Sequence, residues 1–220
     1  MSAFSLKWLA LLTMVIDHVG LAFFPQYPLL RAVGRLSFPI FAFLLAEGFV
    51  HTSNRKRYAL RLAAFAVLSE LPYELFVYGQ VGGMFPMKNI LFALLLAFGA
   101  LYCVERGGFW LPGAAALMLI AHFGAFSYGA YGVLMVVCFF LVRKQKLWMV
   151  LLLAACTVLH CILWQSWFQI WAVLAAVPLL FYNGERGKRM PRYLFYAFYP
   201  AHITAIVLVR YGLRLLAHRP

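Results

Sequence analysis

The feature that most constrains this chain is a repeated one. Apolar runs of fifteen to twenty-six residues recur along it, and short polar or basic clusters break them. A helix of about 20 apolar residues spans a hydrocarbon core of ~30 Å. Composition agrees: 65% of the 220 residues are hydrophobic, 11% are charged, and the mean hydropathy is +0.87. A soluble domain is roughly half apolar and about a quarter charged. A soluble enzyme, a disordered chain and a nucleic-acid-binding domain are therefore excluded as classes. The net charge of +13 is no DNA footprint, because the basic residues sit between the apolar runs. The periodicity suits helices rather than the two-residue alternation of a membrane barrel.

The pattern predicts an all-α, polytopic transmembrane bundle with one domain over residues 1–220. About nine spans are expected, at 5–24, 37–51, 58–78, 89–104, 109–125, 128–142, 147–164, 167–182 and 192–217. Pro25, Pro28 and Arg31 separate the first two, and Gly79, Gly82, Gly83 and Pro86 make a turn-rich loop after the third. No cleavage site of small residues follows the first run, so that run is expected to be retained. Basic residues set the orientation. With a cytoplasmic N-terminus, the inside receives Lys7, Arg55, Lys56, Arg57, Arg61, Arg106, Arg143, Lys144, Lys146, Arg186, Lys188, Arg189 and Arg192. The other side receives Arg31, Arg35, Lys88, Arg210, Arg214 and Arg219. That bias follows the positive-inside rule, and most of these cations are expected only to orient the chain and meet anionic lipid.

Ionisable side chains at membrane depth are costly and commonly line a cavity or a reaction path. Asp17, Glu47, Glu70 and Glu74 fall in expected spans, as do His18, His160 and His202. Lys7 to His18 is ~16 Å of helix, Arg192 to His202 ~15 Å and Arg57 to Glu70 ~19 Å. All three helices run outward, so His18, Glu70 and His202 are expected near the midplane, in a chamber open toward the cytoplasm. Eleven residues make almost three turns, so Lys7 and His18 share a face with Leu11 and Met14 between them. A boundary cation and a deep imidazole on one stripe suit a long substrate with an anionic head, the shape of acyl-coenzyme A. Asp17 points about 100° away from His18 and is expected to turn toward Arg35 or His202. Pro72 and Pro200 place kinks beside Glu70, Tyr199 and His202. Cys103, Cys138, Cys156 and Cys161 lie in apolar runs and read as packing residues, so no metal is expected.

These residues belong to segments that resemble the TraX family of membrane proteins over nearly the whole length. The segments are Lys7 with Met14-Val15-Ile16-Asp17-His18; Gly34-Arg35-Leu36-Ser37-Phe38-Pro39-Ile40-Phe41-Ala42-Phe43; Glu47-Gly48-Phe49 with His51-Thr52; Tyr58 with Arg61-Leu62; Ser69-Glu70-Leu71-Pro72; Asn89; and Phe195-Tyr196-Ala197-Phe198-Tyr199-Pro200-Ala201-His202. The resemblance implies an acetyltransferase of the bacterial cytoplasmic membrane, acting on a pilin N-terminus or an envelope component. The family is also distantly similar to membrane acyltransferases of envelope sugars. Those carry a basic residue, ten intervening residues and a histidine in the first span, as Lys7 and His18 do here.

The expected chemistry is acetyl transfer from acetyl-coenzyme A to an amine or hydroxyl, on a protein or glycan acceptor. His18 is the general base. Lys7 and Arg61 hold donor phosphates, and Arg35 steadies developing negative charge or grips the acceptor. Asp17, Glu70, Tyr199 and His202 complete the polar site. Two rival readings use the same residues: a proton-coupled transporter with Asp17, Glu70 and His202 as relay, and a non-catalytic subunit for pilus or envelope assembly.

Overall fold

The structure, a computed structural model, describes residues 1–81 and 88–217. Gly82, Gly83, Pro86 and Arg219 lie outside the described residues. The described chain is helical: α1 (Ala3–Phe23), α2 (Pro28–Gly34), α3 (Ser37–His51), α4 (Arg55–Val77), α5 (Ile90–Arg106), α6 (Leu111–Phe123), α7 (Gly129–Val142), α8 (Lys146–Trp164), α9 (Ala176–Leu180) and α10 (Arg192–Ala217). Short 3-10 segments precede α6 at Gly108–Trp110 and α9 at Trp167–Ala175. Local chemistry explains several ends. Ser2, Asn54 and Asn89 accept hydrogen bonds from the first-turn amides of α1, α4 and α5. Gly107, at φ +64°, closes α5 in a conformation that other residues rarely adopt.

Two elements differ from the sequence expectation. Residues 28–34 form a helix rather than a break, because Pro28 sits at its first turn, where no amide hydrogen is needed. The segment 167–182 is not a regular α-helix. Its first nine residues wind as a 3-10 helix with Gln169, Ala172 and Ala175 buried, a spacing of three that matches three residues per turn. The tighter winding rises about 2.0 Å per residue, so a short segment reaches further. Pro178 lacks the amide that an α-helix would bring to the carbonyl of Leu174.

Four helical stretches are long and apolar enough to cross a bilayer: Ala3–Phe23, Pro28–His51, Lys146–Trp164 and Tyr193–Ala217. Gly108–Phe123, Gly129–Val142 and Trp167–Leu180 are shorter apolar helices. Pro28–His51 is the central element, with 61% of its apolar window buried against 22% for Tyr193–Ala217. It packs on α1, α5, α7 and the 3-10 segment Trp167–Ala175, and Phe43, Phe49 and Ile40 are its largest fully enclosed side chains.

Hydrogen bonds gather the basic clusters at one end. The amides of Ala3 and Phe4 donate to the carbonyls of Glu185 and Arg186, at 2.8 and 3.1 Å. Lys146 Nζ donates to the Leu180 carbonyl at 2.8 Å, and Tyr182 Oη donates to Glu47 at 3.1 Å. Arg55 pairs with Glu105. Burial and the Glu47 carboxylate push the Tyr182 hydroxyl to a higher pKa, so it remains a donor in this link. The opposite end carries α2, the C-terminal turns of α1 and α4, and the loop before α7.

Candidate functional site

α1 and α10 bring two imidazoles together. His18 Nδ1 lies 2.8 Å from His202 Nε2, with the rings nearly parallel and 5.0 Å apart. His202 Nδ1 lies 2.7 Å from the carbonyl of Phe198, one turn back in α10. These two distances fix the protons. A carbonyl only accepts, so His202 Nδ1 carries a hydrogen and its Nε2 offers a lone pair. His18 Nδ1 must then donate to that lone pair. Nε2 of His18 is left unprotonated, and it hydrogen-bonds to no described residue. The tautomer follows from the network rather than from a visible hydrogen. Phe76 and Tyr199 set the ring from its other sides, edge-on at 5.3 and 6.5 Å.

One residue earlier, Asp17 faces α2. Arg31 Nε donates to Asp17 Oδ1 at 2.8 Å, and Arg35 Nη2 lies 3.5 Å from the same oxygen. Arg35 Nη1 also donates to Gln169 Oε1 at 3.3 Å. Gly34 makes the approach of α2 possible: a methyl at that position would stand 2.2 Å from Asp17 Cβ. Of the two partners expected for Asp17, the structure gives Arg35, together with Arg31; His202 is engaged by His18.

Asp17 and His18 line a cavity of about 190 Å³ with Met14, Gly34, Ser37, Tyr73, Tyr128 and Tyr199 among its walls. Two expectations change here. His18 is five residues from the end of α1, about one and a half turns, so the site lies nearer the far end than the midplane. The cavity reaches the surface beside Leu21 and Val77, which are 42% and 45% exposed, not toward the basic end. Leu11, 1% exposed, is packed between Lys7 and His18.

Glu70 does not line this cavity. It accepts from the Lys88 amide at 3.0 Å and from the Asn89 side chain. The Lys88 carbonyl in turn accepts from the Ser127 hydroxyl at 2.6 Å, and Ser127 lies 3.3 Å from Tyr73 Oη. Glu70 therefore holds the entry to α5, and through it the polar wall of the site. Lys7 and Arg61 sit elsewhere, on the first turn of α10. Lys7 Nζ is 5.6 Å from the Phe195 ring, and the Arg61 guanidinium is 5.9 Å from the Tyr196 ring. Among the described residues no group of three or more histidine, cysteine or acidic side chains is placed to hold a metal. Cys156 lies against Cys138, with sulfurs 3.9 Å apart.

Sequence reasoning missed Arg31, Gln169, Tyr73, Tyr128 and Ser127. Arg31 and Arg35 carried a signal, since like charges four apart share a helix face and in an apolar setting need a common carboxylate. Gln169 carried one too, as the polar member of an apolar every-third-residue edge.

A helical membrane protein with a hydrogen-bonded imidazole pair and a shared-carboxylate arginine pair beside one cavity is the class these features define. The chain belongs to the TraX family: the TraX protein pattern matches residues 2–210. It is 32% identical to the probable fimbrial assembly protein FimC, serogroup H1, of Dichelobacter nodosus, over 93% of this chain and 94% of that one. It is 32% identical to protein TraX of Escherichia coli over 58% of this chain, and 27% identical to the uncharacterized protein RP591 of Rickettsia prowazekii over 60% of it. The chain spans half the length of each of these last two relatives. No solved structure matches it.

Proposed function

We propose that this protein is a bacterial cytoplasmic-membrane acetyltransferase, with His18 as general base and acetyl-coenzyme A as donor. The acceptor is an amine or hydroxyl of a pilus or envelope component. One observation carries the reading: the Phe198–His202–His18 hydrogen-bond chain leaves a lone pair on His18 Nε2 in a cavity-lining residue. A base oriented by a second group is the arrangement that acyl transfer uses. The acceptor N–H or O–H attacks the acetyl carbonyl while Nε2 takes its proton. The carbon–sulfur bond then breaks, and the proton passes to the departing thiolate. His202 spreads the positive charge that forms on His18. Arg35 faces the negative charge on the carbonyl oxygen or holds the acceptor.

The basic end supports a cytoplasmic N-terminus and donor entry there. Lys7 and Arg61 flank the first turn of α10 and are suited to donor phosphates. Phe195, Tyr199 and His202 follow at four- and three-residue steps on one face of α10. That face spans about 10 Å of helix between the donor cations and His202, and its packed side chains must part to admit an extended arm, since the cavity itself opens at the other end.

The test is incubation of the purified protein with radiolabelled acetyl-coenzyme A and an envelope fraction. Wild type is expected to label an acceptor, and His18→Ala is expected to lose labelling while remaining in the membrane. Equal labelling by both overturns the role of His18. The printed name of the Dichelobacter relative favours a second reading, a non-catalytic assembly subunit. That reading requires no labelling by wild type and a pilus or envelope defect that His18→Ala does not reproduce.

A further inference from the structure

The cavity beside His18 is polar at its floor and apolar at its mouth. Asp17, His18, Tyr73, Ser127 and Tyr199 give the interior its polar atoms. Of the described residues around it only Leu21 and Val77 are exposed, and both are aliphatic. Each stands one turn beyond a polar wall residue of its own helix. Leu21 follows His18 by three positions on α1, and Val77 follows Tyr73 by four on α4. Both helices pack on α10 but not closely on each other, which leaves the mouth between them. Arg210 of α10 donates to the Phe76 carbonyl at 2.9 Å and pins the α4 side of that mouth.

The level of the mouth follows from α10. Leu21 lies only about 5 Å of helix beyond His18. α10 continues to Ala217 beyond His202, the partner of His18, and carries exposed Leu208, Val209 and Leu213 on that stretch. Leu208 is about 9 Å past His202, and Arg214, the first exposed charge there, about 18 Å past it. The outside of the protein is therefore still apolar above the mouth. Such surface costs about 25 cal/mol per Å² in water and belongs in hydrocarbon. A water-borne polar acceptor would meet lipid and an aliphatic rim before it met the polar floor. An amphiphile meets them in the right order, its tail in lipid and its head on the floor. An acceptor carried on a helix is too thick. One turn of helix, 10–12 Å wide, fills roughly 400–600 Å³, against about 190 Å³ in the cavity.

We propose that the mouth between Leu21 and Val77 opens within the apolar layer of the membrane, and that the acceptor is a lipid whose head group carries the reacting hydroxyl or amine. The lipid's role as acceptor rests on the acetyltransferase reading; the lipid-facing mouth does not.

The first arm of the experiment reads the mouth without any transfer. His18→Cys is placed in a chain whose Cys103, Cys138, Cys156 and Cys161 are replaced by serine, and the protein is put into phosphatidylethanolamine–phosphatidylglycerol vesicles. Two methanethiosulfonates with the same reacting group are compared on both sides of the vesicles, one with a dodecyl tail and one with a sulfonatoethyl tail. The dodecyl reagent is expected to label position 18 at least tenfold faster. Leu21→Trp narrows the mouth and is expected to slow that labelling at least tenfold. Leu12→Trp, an exposed position on the opposite side of α1, is expected to leave it unchanged. A misfolded variant would label faster with both reagents, not slower with one. Faster labelling by the sulfonate, or dodecyl labelling that Leu21→Trp does not slow, overturns the lipid-facing mouth. The second arm gives wild type radiolabelled acetyl-coenzyme A and an envelope fraction, then separates the product into chloroform–methanol extract, aqueous phase and protein precipitate. Label is expected in the extract. Label confined to the protein or the aqueous phase overturns the lipid acceptor and keeps the acetyltransferase reading. If wild type transfers no acetyl group while the thiol pattern holds, the enzyme reading fails and the lipid-facing mouth stands.

Discussion

The far end of the bundle holds two pairs of histidines, and they are built differently. His18 and His202 bond to each other, and His202 is anchored to a backbone carbonyl. His122 and His160 both pack on Trp164, with ring centroids 5.4 and 5.3 Å from it, and line a larger cavity of about 300 Å³. Nδ1 of His160 is buried without a partner among the described residues. Both pairs are aromatic-lined, and Tyr128 is a wall of both cavities. Cavity size would pick the second pair, and proton direction picks the first. An imidazole becomes a defined base when a partner fixes the hydrogen on its other nitrogen. Among the described residues the second pair has rings but no such partner.

The comparison breaks most visibly at His202. In His202→Phe the ring volume stays and the acceptor for His18 Nδ1–H goes, so His18 loses its fixed tautomer. General-base catalysis contributes ~10²–10⁴-fold, and transfer is expected to fall by about 100-fold or more. His160→Phe is expected to leave transfer within about twofold, as for changes outside a site. Label incorporation by the two variants, normalised to protein in the membrane, checks this. Equal losses would show that the two pairs act together and that the tautomer argument is wrong.

A smaller effect is expected from the arginine side of the first pair. Gly34→Ala forces its methyl against Asp17 Cβ, a backbone-proximal atom that cannot swing away. Overpacking of this kind costs about 1–3 kcal/mol. The variant is expected to unfold at lower temperature and to transfer roughly tenfold more slowly, a loss of ~1.4 kcal/mol in the barrier. Gly99→Ala, which meets only a flexible Leu117 methyl at 3.1 Å, is the matched control and is expected to stay near wild type. If both glycine variants behave alike, the close approach of α2 to α1 does not set up the site.

Much of this was legible in the sequence because it depends on period and composition. The expected helices at 37–51 and 192–217 coincide with Ser37–His51 and Arg192–Ala217. His18 and His202 could be placed near each other in depth by counting residues from the basic boundary. What counting cannot give is azimuth. Glu70 was placed at the same depth, yet it faces the Lys88 amide and Asn89, because the rotation of α4 about its own axis is set by packing. The buried edge of residues 167–175 was written in the sequence at a spacing of three, but an apolar run reads equally as an α-helix until its neighbours choose the winding. The break between the expected spans 109–125 and 128–142 was legible, but the backbone of the loop there was not: Ala125 and Tyr128 adopt positive φ at 53° and 63°, which their residue types disfavour.

That loop supplies the finest test of whether the two histidine pairs are separate. Tyr128 stacks on Phe38 at 3.9 Å and divides the cavities, while its backbone sits in the left-handed region. Tyr128→Gly relieves a strain of about 1 kcal/mol or somewhat more, but truncating a packed aromatic ring costs about 3–5 kcal/mol. The variant is therefore expected to unfold at lower temperature, and its transfer is compared at a temperature where it stays folded. The wall is then gone. In that background the His160 side becomes continuous with the His18 cavity, and His160→Ala is expected to change transfer where it did not before. A double-mutant cycle measures this directly: a coupling above about 0.5 kcal/mol between positions 128 and 160 makes Tyr128 the partition. Strict additivity would mean that the loop backbone, rather than the Tyr128 ring, keeps the two imidazole pairs apart.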